Sequence, residues 1–190
     1  LSPLAMFNGD VLLAAQKPSG GMHVLLGDFT GHGLPAAIGA MPMAEIFYYM
    51  TGKGFAITDI ISEINMKLKS ILPVGVFCCS CMVDFSFEKQ IIRIWSGGLP
   101  DSFLYRSDSQ EIVPIKSRHL PLGILSPDDF NNELQLLEMA KGDRLYICSD
   151  GISEALNAQG DMFGEQRMID AMRSSEDDEQ IFSSIQSEVT

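Results

Sequence analysis

The spacing of apolar residues changes along this chain, and the order of those changes restricts the fold more than any other feature. Asp10 to Gln16 and Met22 to Asp28 read as strands around the turn K-P-S-G-G. The spacing then turns helical. A helix is expected from Leu34 to Met50, with Pro35 tolerable in its first turn and Pro42 placed to kink it. Ile57, Ile60, Ile61, Ile64, Leu68 and Ile71 define a second helix behind Thr58 and Asp59 as cap candidates. Strand spacing returns at Val76 to Phe85 and Gln90 to Trp95 around S-F-E-K, and at Ser102 to Arg106 and Glu111 to Ile115 around S-D-S-Q. A Pro/Gly-rich loop from Pro121 to Pro127 precedes two more strands, Leu134 to Met139 and Arg144 to Cys148. Helices are expected at Gly164 to Met172 and Asp177 to Val189. Strands at hairpin spacing, not alternating with helices, predict an α+β fold with antiparallel sheets rather than a Rossmann plan.

Charge narrows the partners. Residues 1–127 carry 10 acidic and 9 basic side chains (−1), residues 128–190 carry 15 and 4 (−11), and the total is −12. Such a chain is repelled by nucleic acid and by acidic membranes. Leu34 to Met50 is the longest apolar candidate for a membrane span, and Pro35, Pro42 and Glu45 interrupt it. No secretory signal is visible, and Cys78, Cys79, Cys81 and Cys148 lack zinc-finger spacing. They read as reduced core thiols of a cytoplasmic protein. The chain begins at leucine with strand-like sequence close behind, and reads as one domain, 1–190, of a longer regulator.

Three aspartates stand where apolar strands run into glycine turns: Asp10 in N-G-D, Asp28 in G-D-F-T-G-H-G and Asp150 in C-S-D-G. A carboxylate at a strand end is held rigidly yet faces solvent, which suits hard cations such as Mg²⁺ or Mn²⁺. Neighbouring glycines let backbone oxygens or a phosphate come close. His32 in the G-H-G turn has two readings, a general acid or a turn residue whose ring bonds the loop.

The longer phrasing is more specific. D-F-T-G-H-G-L-P-A-A at 28–37, P-L-G-I at 121–124 and G-D-R-L-Y-I-C-S-D-G-I-S-E-A at 142–155 resemble the metal-dependent PPM-type Ser/Thr protein phosphatases. The resemblance is to their bacterial branch, typified by the sporulation stage II phosphatase and found as effector domains of response regulators. It implies a sandwich of two antiparallel sheets flanked by helices, with two Mn²⁺ or Mg²⁺ ions at one edge. Asp10, Asp28 and Asp150 would hold the metals with the Phe29 carbonyl, and Gly31, Gly33 and Gly151 would shape the loops. Hydroxide formed between the metals would attack the phosphorus of phosphoserine or phosphothreonine in line. The implied substrate is a regulatory phosphoprotein such as an anti-sigma-factor antagonist, under an upstream domain such as a receiver. A homodimer through the helices after Leu34 and Thr58 is compatible with the pattern.

Three features depart from the family pattern. Leu13 stands at a second carboxylate position, and Gly98 stands where histidine is common. The terminal Asp-Asp-hydrophobic-Thr strand is missing before Thr190, and Asp177 and Asp178 open a helix instead. A phosphatase-like docking module without turnover, or a hydrolase of small phosphoesters, therefore stands beside the protein phosphatase. Arg118 offers a partner for a substrate phosphate. His119 offers a substrate contact, while His23 and Trp95 read as core.

Overall fold

The computed structural model describes residues 9–31, 33–155 and 161–174. His32 and the expected helix from Asp177 to Val189 lie outside the described residues. Eight strands and four helices are described. β1 (Asp10–Gln16) and β2 (Met22–Phe29) lead into α1 (Leu34–Lys53) and α2 (Ile57–Ile71). β3 (Cys78–Ser86), β4 (Ile91–Gly97), β5 (Ser102–Tyr105) and β6 (Ile112–Ile115) follow. The order ends with β7 (Gln135–Glu138), β8 (Arg144–Tyr146), α3 (Asp150–Ser153) and α4 (Gly164–Ser174). Two antiparallel sheets, β1-β2-β3-β4-β7 and β6-β5-β8, make the α+β fold that the spacing predicts.

The chain divides into two compact units. The first unit holds the described residues up to Leu99 together with Lys116–Met139. Its core lies between one face of the five-stranded sheet and the helices. Ile57, Ile60, Ile61, Ile64 and Leu68 of α2 are all buried, as their helical spacing demands, with Leu13, Leu25, Phe29, Met82 and Trp95 from the strands. Each such side chain contributes about 1.5–3 kcal/mol on leaving water. α1 runs unbroken through Pro42 to Lys53, three residues past its expected end. It stops at Gly54, whose left-handed backbone (φ 81°) turns its N–H back to the last carbonyls. Ala56, in extended conformation, is the N-cap of α2, which places Thr58 and Asp59 inside its first turn.

The same face of the sheet buries polar groups. His23 is 1% exposed; its Nδ1 lies 3.0 Å from the Thr51 hydroxyl of α1 and its Nε2 3.7 Å from Asp84. Lys17 and Arg93 also pair with Asp84. Burial lowers the His23 pKa to about 4, with Lys17 adding to the effect and Asp84 opposing it. The unfolded chain therefore takes up a proton near pH 6.5 that the folded chain refuses until about pH 4. Stability from neutral His23 is complete above pH 6.5 and should fall as pH drops toward 4, by on the order of 3 kcal/mol. Urea unfolding of wild type and His23→Gln across this range should show the steeper loss in wild type. Parallel curves would remove His23 as the cause.

The second unit contains Pro100–Ile115 and the described residues from Ala140 onward. Phe103, Cys148, Phe163, Met168 and Met172 form its core. Asp143 ties its turns together, accepting from Arg106 at 2.9 Å and from the backbone N–H groups of Ser107 and Ala140. These bonds hold its pKa below the usual carboxylate value against the opposing effect of burial. β8 ends at Tyr146, two residues before the expected end, and Cys148 belongs to the core with no ladder partner among the described residues.

Candidate metal centre

β1 and β2 place Asp10 directly opposite Asp28. Directly opposed residues of an antiparallel pair point to one face, about 4.5–5.5 Å apart. Asp10 is exposed and Asp28 half-buried, so both carboxylates stand at a solvent-reachable edge. Opposed like charges cost stability unless a cation joins them. Cys79 extends the same row on β3, opposite Asp28.

Gly9 makes room for more oxygens. Its φ of 101° suits glycine, and a Cβ there would meet the Phe29 carbonyl oxygen at 2.7 Å, the Gly31 carbonyl at 2.9 Å and Asp28 Oδ1 at 3.3 Å. Three oxygens thus face one small notch beside Asp10. Its rim is fixed by backbone bonds: Phe29 N–H donates to Gly9 O at 3.2 Å, and Thr30 N–H donates to Phe77 O at 3.0 Å. The Thr30 hydroxyl also donates to Phe77 O and accepts from Phe77 N–H. Gly31 and Gly33, at φ 79° and 77°, then turn the chain into α1 with open space around each.

Carboxylates and carbonyls such as those of Asp10, Asp28, Phe29 and Gly31 fit Mg²⁺ or Mn²⁺, which accept a few protein oxygens and keep water elsewhere. Among the described residues no three His, Cys, Asp or Glu side chains form a metal-binding group, and the Phe29 and Gly31 carbonyl oxygens are the further oxygens beside Asp28. The expected residues Asp10, Asp28 and Phe29 come together here. Asp150 and Gly151 stand in the second unit, where α3 begins. Cys148 and Ile152 pack inward on either side and leave Asp150 exposed. Burial raises the Cys148 thiol to about 11 and, on β3, the Cys78 thiol to about 12, so both remain protonated packing groups. None of the four cysteines is disulfide-bonded.

The departures from the family pattern also find physical reasons. Leu13 is 7% exposed, pairs with Leu25 and faces the helix-side core, where a carboxylate would be stranded. Gly98 (φ 80°) has no space for a side chain, because Pro121 Cγ and Cys79 Sγ lie 2.5 and 2.8 Å from its Cβ position. His119 is occupied structurally, stacked on Trp95 at 5.1 Å with Nε2 2.9 Å from Glu133 O. Arg118 donates its backbone N–H to Ser96 O and leaves its exposed guanidinium without a hydrogen-bond or ion-pair partner among the described residues. The Gly9 notch, the Gly31 carbonyl and the Thr30 clamp are not expected from the sequence. Glycine beside each aspartate was their one visible signal.

The fold is the one seen in PP2C phosphatase domains. The chain belongs to the stage II sporulation protein E family, whose model matches residues 18–190. Among solved structures, it resembles the PP2C domain of SiaA from Pseudomonas aeruginosa (TM-score 0.80, 19% identity), covering 97% of this chain and 74% of that one. It also resembles the phosphatase domain of SpoIIE from Bacillus subtilis, solved with a fragment of its regulatory domain (TM-score 0.77, 19% identity, 97% and 54% coverage). RsbX, crystallised with magnesium, matches at TM-score 0.72 and 17% identity, over 96% of this chain and 81% of its own. No curated protein sequence matches the chain.

Proposed function

We propose that this chain is a Mn²⁺- or Mg²⁺-dependent phosphoserine/phosphothreonine protein phosphatase. Its substrate is a phosphorylated regulatory protein of the anti-sigma-factor-antagonist type, and an upstream domain such as a receiver controls it. The observation that carries the reading is the Asp10–Asp28 pair beside the notch edged by the Phe29 and Gly31 carbonyls. RsbX in complex with magnesium supports the choice of a hard cation. Asp10, Asp28 and the Phe29 carbonyl would hold metal in the first unit, and Asp150 is proposed as a metal ligand on the family resemblance alone. Two bound cations supply positive charge for the phosphoryl oxygens and acidify water near neutral pH.

The chain's own residues bind and orient. Gly31 and Gly33 carry no Cβ, so a phosphoprotein segment can approach the strand end closely. The Arg118 guanidinium is available to pair a phosphate oxygen, and its backbone is anchored on Ser96. His32 is assigned to give a proton to the leaving serine oxygen. Among the described residues no helix is long and apolar enough to cross a membrane.

The test is phosphate release from a phosphoserine-bearing antagonist protein. Turnover should vanish with a chelator and return on adding Mn²⁺ or Mg²⁺. Asp150→Ala should raise the Mn²⁺ concentration needed for half-maximal rate by about tenfold or more. Metal-independent turnover would overturn the mechanism. Substrate binding without turnover at any metal concentration would leave a docking module.

A further inference from the structure

We infer that Gly39 of α1 is a positioning residue for the cation notch, acting through the ring of Phe29; the inference rests on the metal-dependent reading above. Glycine inside a helix is destabilising by roughly 1 kcal/mol relative to alanine, so Gly39 calls for a reason. A Cβ at this position would lie 2.8 Å from Phe29 Cζ and nearer still to Cε1. The ring has no free direction in which to retreat: Phe29 is 1% exposed, belongs to the helix-side core and lies opposite Cys78 across the ladder. Nor is its backbone loose, because Phe29 N–H is bonded to Gly9 and Thr30 to Phe77.

The carbonyl oxygen of this same residue lies 2.7 Å from the Gly9 Cβ position and edges the notch. Gly39 therefore lets α1 press on the side chain of a residue whose backbone oxygen serves the metal. A methyl group at 39 must lift α1 or push Phe29, and a shift of Phe29 moves that oxygen. Loss of an outer support around a metal site typically costs about 10–100-fold in affinity.

The experiment titrates Mn²⁺ into the whole chain and follows the loss of the aqueous Mn²⁺ electron paramagnetic resonance signal, a readout independent of turnover. Wild type is compared with Gly39→Ala and with Gly39→Ala/Phe29→Leu, in which the two closest ring atoms are gone. Gly39→Ala should bind Mn²⁺ about tenfold more weakly, and the double variant should recover most of the loss. Tight binding by wild type and Gly39→Ala alike overturns the role of Gly39 and leaves the metal-dependent reading standing. No Mn²⁺ binding by wild type overturns both. Should Gly39→Ala fail to fold, the double variant decides: tight binding upholds the inference, while weak binding or a second failure to fold overturns it.

Discussion

Replacing Asp28 by asparagine is expected to lower kcat/KM for a phosphoserine protein by about 1000-fold, or roughly 4 kcal/mol of transition-state stabilisation. The metal-free fold should stay as stable as wild type or gain slightly. The two effects separate because Asp28 meets two opposing demands. Its carboxylate stands across the ladder from Asp10, so without a cation two negative charges oppose each other at a cost of about 0.2–1 kcal/mol. Asparagine keeps the size and one acceptor oxygen while removing that repulsion. With metal present the same charge is attractive, and Oδ1 already faces the notch beside Gly9. Urea unfolding with chelator and steady-state kinetics with Mn²⁺ measure the two effects independently. Unchanged kinetics would take Asp28 out of the site, and a large loss of metal-free stability would make it a structural residue.

The Asp10–Asp28 part of the row Asp10–Asp28–Cys79 was legible in the sequence, because Asp10 opens one apolar strand segment, Asp28 closes the next, and glycine adjoins each. α2 was legible almost residue by residue, since its buried isoleucines recur at strict helical spacing and no other segment competes for them. α1 was less so. Apolar residues surround it: Ala36, Met43 and Phe47 are buried while Leu34, Ile38 and Met41 are exposed, so periodicity could not mark its inner face. Its end depended on Gly54, a backbone signal four residues beyond the expected end at Met50.

Pairing over long sequence distance was the least legible. Nothing in F-C-C-S-C announces that Cys78 exchanges backbone bonds with Leu122, or that the P-L-G-I loop lies beside the start of β3. The cation notch was hidden for a related reason. It is edged by carbonyl oxygens, and every residue has one, so only the turn geometry reveals which of them converge. The same holds for His119, whose stacking on Trp95 depends on how the loop folds back.

Gly98→His, which would restore the histidine that the family resemblance implies at this position, should destabilise the chain by about 2–5 kcal/mol. Two costs combine. The φ of 80° strains any residue with a Cβ by roughly 1–2 kcal/mol. The Cβ must also enter space held by Pro121 Cγ at 2.5 Å and Cys79 Sγ at 2.8 Å, and overpacking of this kind costs about 1–3 kcal/mol. Pro121 cannot swing aside cheaply. Leu122, next to it, exchanges N–H···O bonds of 3.0 and 2.8 Å with Cys78, and His119 on its other side is stacked on Trp95. Gly98→Ala isolates the backbone and Cβ contributions and should carry most of the loss, with the imidazole adding the rest. Adding Cys79→Ala should return part of it, because only the sulfur contact is relieved and the strained φ remains. Denaturant midpoints for the three variants test this order. A Gly98→His midpoint equal to wild type would mean that the 118–122 segment yields to a side chain, and that this position can accept the histidine that the family resemblance implies.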